Sequence, residues 1–288
     1  MGAPQAPSPR ARRSSSKATS TTPAAPSEKA RVRSVAHRFG AACAVDVNDI
    51  YVAGVRYDDD DPLVGDSLLA RLRPGRLEPV ARVDGIVRGV VKAQRGLLVL
   101  VGDTLKDSAG AVVKTGVVDV VAAAGAALAL CGDDVVDVDS GATVCRAKDA
   151  IGLRGGVVRT AHGVVALDGR VVVEGAVDAA AVADAGVVFA RGKELTIADA
   201  RYPMPWPVQA IAAACGKVFV GSKLGGLGVV DEDVGRVVAL RPSLRAHQLL
   251  PVSQGLVVVS DLLLATTDDG QDFISRDLTP MVRLVESA

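Results

Sequence analysis

The sequence predicts an all-β protein, a seven-bladed β-propeller with four-stranded antiparallel blades, and three observations carry that expectation. One tight turn recurs along the chain, at Arg73-Pro74-Gly75, Ser108-Ala109-Gly110, Asp139-Ser140-Gly141, Asp233-Val234-Gly235 and Asp268-Asp269-Gly270, each between β-rich runs. Its glycines stand 35, 31, 94 and 35 residues apart, the third interval being about three periods, and a spacing in this range belongs to a repeat architecture. An inner hairpin recurs seven times between these turns, and the strand that opens it is built largely of small residues. The taper of a propeller toward its central channel requires such residues in the innermost strand of each blade.

Taken in order, the second strands of the seven hairpins begin near Asp49 (DIYVAG), Gly96 (GLLVLVG), Gly125 (GAALALCG), Gly163 (GVVALDG), Gly186 (GVVFARG), Gly216 (GKVFVG) and Gly255 (GLVVVS). The small first strands are AACAV from Ala41, GVVKA from Gly89, VVAAA from Val120, AAAVADA from Ala179 and AIAAAC from Ala210. Seven hairpins over the folded part give about 35 residues per unit, enough for four strands. Ring closure is left open between two segments, Val32 to Phe39 and Met281 to Val285, either of which would supply an outer strand to the terminal blade.

The chain of 288 residues is 49% hydrophobic, with 33 basic and 33 acidic residues, as expected of a globular protein with a full core. Residues 1–33, rich in Ser, Pro, Ala and Arg, read as a disordered basic tail ahead of a propeller domain over 34–288. No basic stripe lies in the folded part, which argues against nucleic acid as a partner. The apolar run from Val120 to Cys131 is too short to cross a bilayer, and the amino terminus lacks the apolar segment of a secretory signal. A cytoplasmic protein without a membrane partner is the expectation. Cys43, Cys131, Cys145 and Cys215 are scattered and read as small buried hydrophobes rather than as a metal or redox set.

Two turns repeat most closely, VVDVDSGATV from Val135 and VVDEDVGRVV from Val229. The Asp two positions before each Gly is placed to bond turn amides, while the Gly takes a positive φ. In the last unit, Thr266-Thr267-Asp268-Asp269-Gly270-Gln271-Asp272-Phe273 resembles the Asp box of bacterial neuraminidase-type repeats, S/T-x-D-x-G-x-x-aromatic. The resemblance implies a structural turn between a blade's third and fourth strands, with Thr266 and Asp268 bracing it around Gly270 and Phe273 packing between blades. The turns at Asp139 and Asp233 lack the aromatic and look like quinoprotein-type or generic propeller turns.

No catalytic residues, cofactor or metal site are assigned. Sialidases of this scaffold carry an arginine triad and a tyrosine with a glutamate, and that set has no counterpart around Tyr51, Tyr57 and Tyr202, the three tyrosines. No G-x-S-x-G elbow occurs, and His37, His162 and His247 are far apart in sequence. Gly216 to Lys223 has serine and lysine transposed relative to a phosphate loop, so it reads as a strand ending in a loop. Asp58-Asp59-Asp60-Asp61 reads as a solvated loop tip or as a calcium-binding run.

Aromatic residues make up 3% of the chain, so Tyr202-Pro203-Met204-Pro205-Trp206-Pro207 stands out, its tryptophan either an interface anchor or a filler between blades. In propellers, second-to-third-strand loops and interblade loops emerge on one face. That rule places the Arg56 to Gly65 insertion, Tyr202 to Pro207 and Gly221 to Gly228 on one rim, with Arg56, Tyr57, Asp59, Tyr202, Trp206 and Lys223 as candidate partner-binding residues. The function expected is a non-catalytic binding or scaffolding module that presents this rim to a protein partner. The alternative is a glycan-acting hydrolase or lyase at the channel mouth, which a cluster of Arg, Asp or Glu, and His there with perturbed pKa values would favour.

Overall fold

The computed structural model describes residues 37–57, 64–123, 125–222, 224–231, 233 and 235–287. Twenty-eight strands form seven four-stranded antiparallel sheets, each pairing its strands in chain order. Blades one to seven span residues 37–84, 87–114, 117–146, 150–174, 179–203, 210–241 and 248–277. The fold is thus a seven-bladed β-propeller with one short helix, α1 (Thr279–Ser287).

Local sequence explains the blade profile. Second strands such as Gly96–Val101 (GLLVLV) and Gly255–Val259 (GLVVV) are almost continuously buried. Such a strand faces the sheets of two neighbouring blades, so apolar residues run without alternation, as in any sheet covered on both faces. The five small-residue segments all lie on blade-opening strands, including Ala179–Ala183 and Ala210–Ala214. The five recurring glycine turns all join a third strand to a fourth, with φ between +65° and +91°. A side chain with a Cβ is strained in that region.

The core is divided into seven apolar wedges among the described residues, one at each blade junction. The wedge between blades seven and one closes the ring. It joins Val257, Val259 and Leu264 to Ala42, Ile50, Val52 and Leu72, and receives Met281, fully buried, from α1. The Gln248 side-chain amide donates to the Ala42 carbonyl at 3.3 Å, and Arg276 reaches Asn48 at 3.0 Å across the same junction.

Two expectations are corrected. Among the described residues neither terminal segment adds an outer strand: residues 37–39 belong to the innermost strand, His37–Asp46, and Met281 lies in a helix, while residues 32–36 lie outside the described residues. Closure among the described residues therefore comes from packing between blades seven and one, to which α1 contributes the buried Met281. In blade four the hairpin's second strand is Val157–Thr160, and Gly163 opens the third strand. The real turn is Gly155-Gly156, where a Cβ on Gly155 would stand 2.6 Å from Ala181 of blade five.

Candidate functional site at the channel mouth and rim

In a four-stranded meander, successive connections exit at alternate ends. Second-to-third-strand loops and interblade loops therefore share one end of the ring, here the connection end, and the remaining turns share the other. The three predicted rim segments all belong to the connection end by strand order.

The predicted rim residues divide sharply. Arg56 is clamped on Asp66 of the adjacent strand, Nε and Nη2 donating to the two carboxylate oxygens at 2.7 and 3.1 Å. Tyr57 and Tyr202 are buried, so their rings are not presented to a partner. Trp206 packs against the wedge between blades five and six, and its ring lies so close to Gly226 that a Cβ there would come within 2.8 Å of Cη2. Its indole Nε1 is buried and meets no acceptor among the described residues. Tyr202 and Trp206 thus belong to the wedge between blades five and six. Asp59, with the rest of the Asp58–Asp61 run, and Lys223 lie outside the described residues, as does the 1–33 tail.

The rim does present Leu224, the most exposed large hydrophobic side chain among the described residues at 77%, in the loop that holds Gly226. Sequence reasoning passed over it. Its signal was a leucine inside the Gly-rich segment Ser222-Lys223-Leu224-Gly225-Gly226, with no strand to bury it.

The channel has two unlike mouths. At the turn end a cavity of about 570 Å³ is lined by small and apolar side chains, among them Ala44, Val45, Ala123, Val182 and Val252, and by no ionisable one. Toward the connection end a cavity of about 140 Å³ holds Arg154, Arg159, Asp178, Gln209, His247 and Gln248. It adjoins a wider vestibule of about 360 Å³ that shares Asp178, Gln209 and His247.

Blade four supplies both arginines, one on each side of the Gly155-Gly156 turn. Arg159 pairs across the sheet with Gly152, and the missing side chain there leaves room for the guanidinium, whose Nη2 lies 3.5 Å from the position of a Gly152 Cβ. Arg159 Nη1 donates to the Asp178 carbonyl. Arg154 Nη1 donates to Asp119 Oδ1 at 2.5 Å, and the other oxygen of Asp119 accepts the Leu153 amide at 3.0 Å. The Asp178 carboxylate accepts the Gly192 amide at 2.6 Å. Burial pulls Arg159 below the usual guanidinium range, and the charge of Arg154 adds to it. His247 is nearly buried, with Nδ1 3.8 Å from Asp261. Nothing in the sequence brought these residues together, since they come from blades three to seven.

The turn at Gly270 is braced one residue later than the resemblance implies. Thr267 Oγ1 accepts the Gly270 amide and donates to Asp269 Oδ1, both at 2.9 Å, and that oxygen accepts the Gln271 and Asp272 amides at 2.7 and 2.9 Å. These amides hold the Asp269 carboxyl below its usual range. Asp268 offers its carbonyl to the Cys215 thiol, and Thr266 is a buried strand residue. Phe273 meets Phe219 of blade six edge to face, at 6.4 Å between centroids. In the turn at Gly141, Asp137 accepts the Asp139 and Ser140 amides, while Asp139 crosses to blade two and accepts the Gln94 amide at 2.9 Å. The residue two before Gly thus links blades instead of bracing its own turn.

Among the described residues no three His, Cys, Asp or Glu side chains gather as a metal site. The four cysteines are free thiols, and burial raises each of them. Among the described residues no helix is long and apolar enough to cross a membrane.

No protein-family model matches the chain, and neither does any curated protein. Solved structures do. The WD40 β-propeller domain of Doa1 superposes with a TM-score of 0.54 at 13% identity, covering 81% of this chain and 93% of that one. Hsv2 of Kluyveromyces lactis gives 0.49 at 11% identity over 84% and 100% of the two chains, and Sqt1 of Saccharomyces cerevisiae gives 0.49 at 7% over 85% and 97%. At this identity the likeness to the Doa1 domain is one of architecture, and it agrees with the strand order in giving the chain the seven-bladed β-propeller fold, with a WD40 domain among its structural neighbours.

Proposed function

We propose that the protein is a non-catalytic interaction scaffold, acting in the cytoplasm, that presents the connection end of its propeller to a protein partner. The observation that carries this reading is Leu224, a large apolar side chain held out to solvent on the loop that packs over Trp206. A rigid ring with loops gathered at one end suits recognition, since the scaffold has little ordering entropy left to lose on binding. Four free thiols fit a reducing compartment. The Asp-box resemblance belongs to this reading as a blade-building turn, with no part in chemistry.

The glycan hydrolase or lyase reading has less support. A glycoside hydrolase needs one carboxyl held protonated as an acid. The carboxyls that depart from their usual range, such as Asp49, Asp134 and Asp137, all do so downward. At the polar mouth Asp119 is committed to Arg154 and Leu153.

The test is affinity capture with the intact protein against a Leu224→Asp variant of equal melting temperature. Loss of a captured protein with the variant is the expected result. An identical set of captured proteins would overturn the reading.

A further inference from the structure

We propose that the channel well at the connection end is a receptor for a single acidic side chain of a peptide, whose carboxylate is held between Arg154 and Arg159. This deepens the interaction reading above and rests on it.

Three observations lead there. The first is the state of the arginines. Arg159 uses Nη1 on the Asp178 carbonyl, and Arg154 uses Nη1 on Asp119, Val120 and Leu153. The Nε and Nη2 donors of both meet no protein acceptor among the described residues, and both side chains line the same cavity. Guanidinium donors in pairs match the two oxygens of a carboxylate. The second is electrostatic strain. Arg159 is partly buried beside the like charge of Arg154, and an arriving anion relieves both the repulsion and the desolvation of the guanidinium. Asp119 and Asp178 offset part of this strain, but the oxygens of Asp119 are taken by Arg154 and the Leu153 amide and one oxygen of Asp178 by the Gly192 amide, and neither carboxylate pairs directly with the Arg159 guanidinium.

The third is shape. The well of about 140 Å³ widens into a vestibule of about 360 Å³ that shares Asp178, Gln209 and His247 with it. A narrow polar well behind a wider antechamber suits a charged group on a stalk, with the backbone that carries it resting outside. Pro207, the neighbour of Trp206 in sequence, lines the vestibule together with Gln209. The turn-end mouth, lined by alanine, glycine and valine, has no comparable donors.

The experiment uses the full chain, labelled with ¹⁵N, and follows the arginine Nε–H resonances during titration with N-acetylglutamate N-methylamide. The expected result is saturable movement of the Arg154 and Arg159 signals, with no movement for the capped glutamine analogue. Arg159→Met should weaken binding by about tenfold or more, through loss of a charge-assisted pair. Gln209→Glu, with its melting temperature checked against wild type, should weaken it to a similar degree by adding a like charge at the entrance. Absence of movement with the glutamate probe would overturn the proposal, as would movement with inorganic phosphate alone or unchanged affinity in Gln209→Glu. Failure of the scaffold reading itself shows separately, in the Leu224→Asp capture, which leaves both arginines in place.

Discussion

Ring closure by a helix gives the most direct prediction. Met281 is fully buried in the apolar cluster between blades seven and one, with α1 packed against the second and third strands of blade one, which bring Ile50, Val52 and Leu72 to that cluster. Truncation to alanine removes three heavy atoms from that cluster. Their transfer to water costs about 2–3 kcal/mol at roughly 0.8 kcal/mol per methylene-sized group. A residual void of about 50 Å³ adds on the order of 1 kcal/mol at about 24 cal/mol per Å³, since strands on both sides limit collapse. Met281→Ala should therefore lower stability by about 3–4 kcal/mol. The assay is urea denaturation followed by the fluorescence of Trp206, the one tryptophan in the chain. Arg283→Ala, exposed on the same helix, is the control and should stay within about 0.5 kcal/mol of wild type. If Met281→Ala moved the midpoint no more than Arg283→Ala, helix packing would not be what closes the ring.

Further tests address the turns and the rim. Thr267→Val should cost about 1–3 kcal/mol, because it strips the Gly270 amide of its acceptor in a buried site, whereas Asp268→Ala should leave the denaturation midpoint close to wild type. The Asp269 carboxyl is lowered in the folded state, so its stabilisation is fully present above the unfolded pKa of about 4 and is lost as pH falls through the folded value. An Asp269→Asn variant should show a shallower loss of melting temperature on acidification, and an unchanged acid limb would refute the assignment. Trp206→Ala should appear as a loss of stability of about 2–4 kcal/mol by calorimetry, with Gly226→Ala also destabilising because its φ is +94° and its Cβ would strike the indole. Asp139→Ala should speed hydrogen exchange at the Gln94 amide, since that carboxylate joins blades two and three.

The architecture was legible because it is written in local chemistry. Glycine at a positive-φ turn, small residues next to the channel and apolar runs in strands covered on both faces each follow from one position's surroundings, and repetition multiplied the signal. Where the local signal was ambiguous, the reading slipped. Gly163 mimicked a hairpin start in blade four, and the bracing carboxylate of the last turn was placed at Asp268 instead of Asp269, because neighbouring aspartates look alike until the backbone decides which one faces the amides. Composition gave the rarity of aromatic side chains, but the burial of Tyr202 and the packing of Trp206 at the junction of blades five and six depended on contacts that only the packed ring makes. Ring closure through Met281, the exposure of Leu224 and the meeting of Arg154 and Arg159 with Asp178, Gln209 and His247 were decided by tertiary structure alone. Those contacts join residues from separate blades, and no one-dimensional period encodes which side chains a closed ring will turn toward its axis.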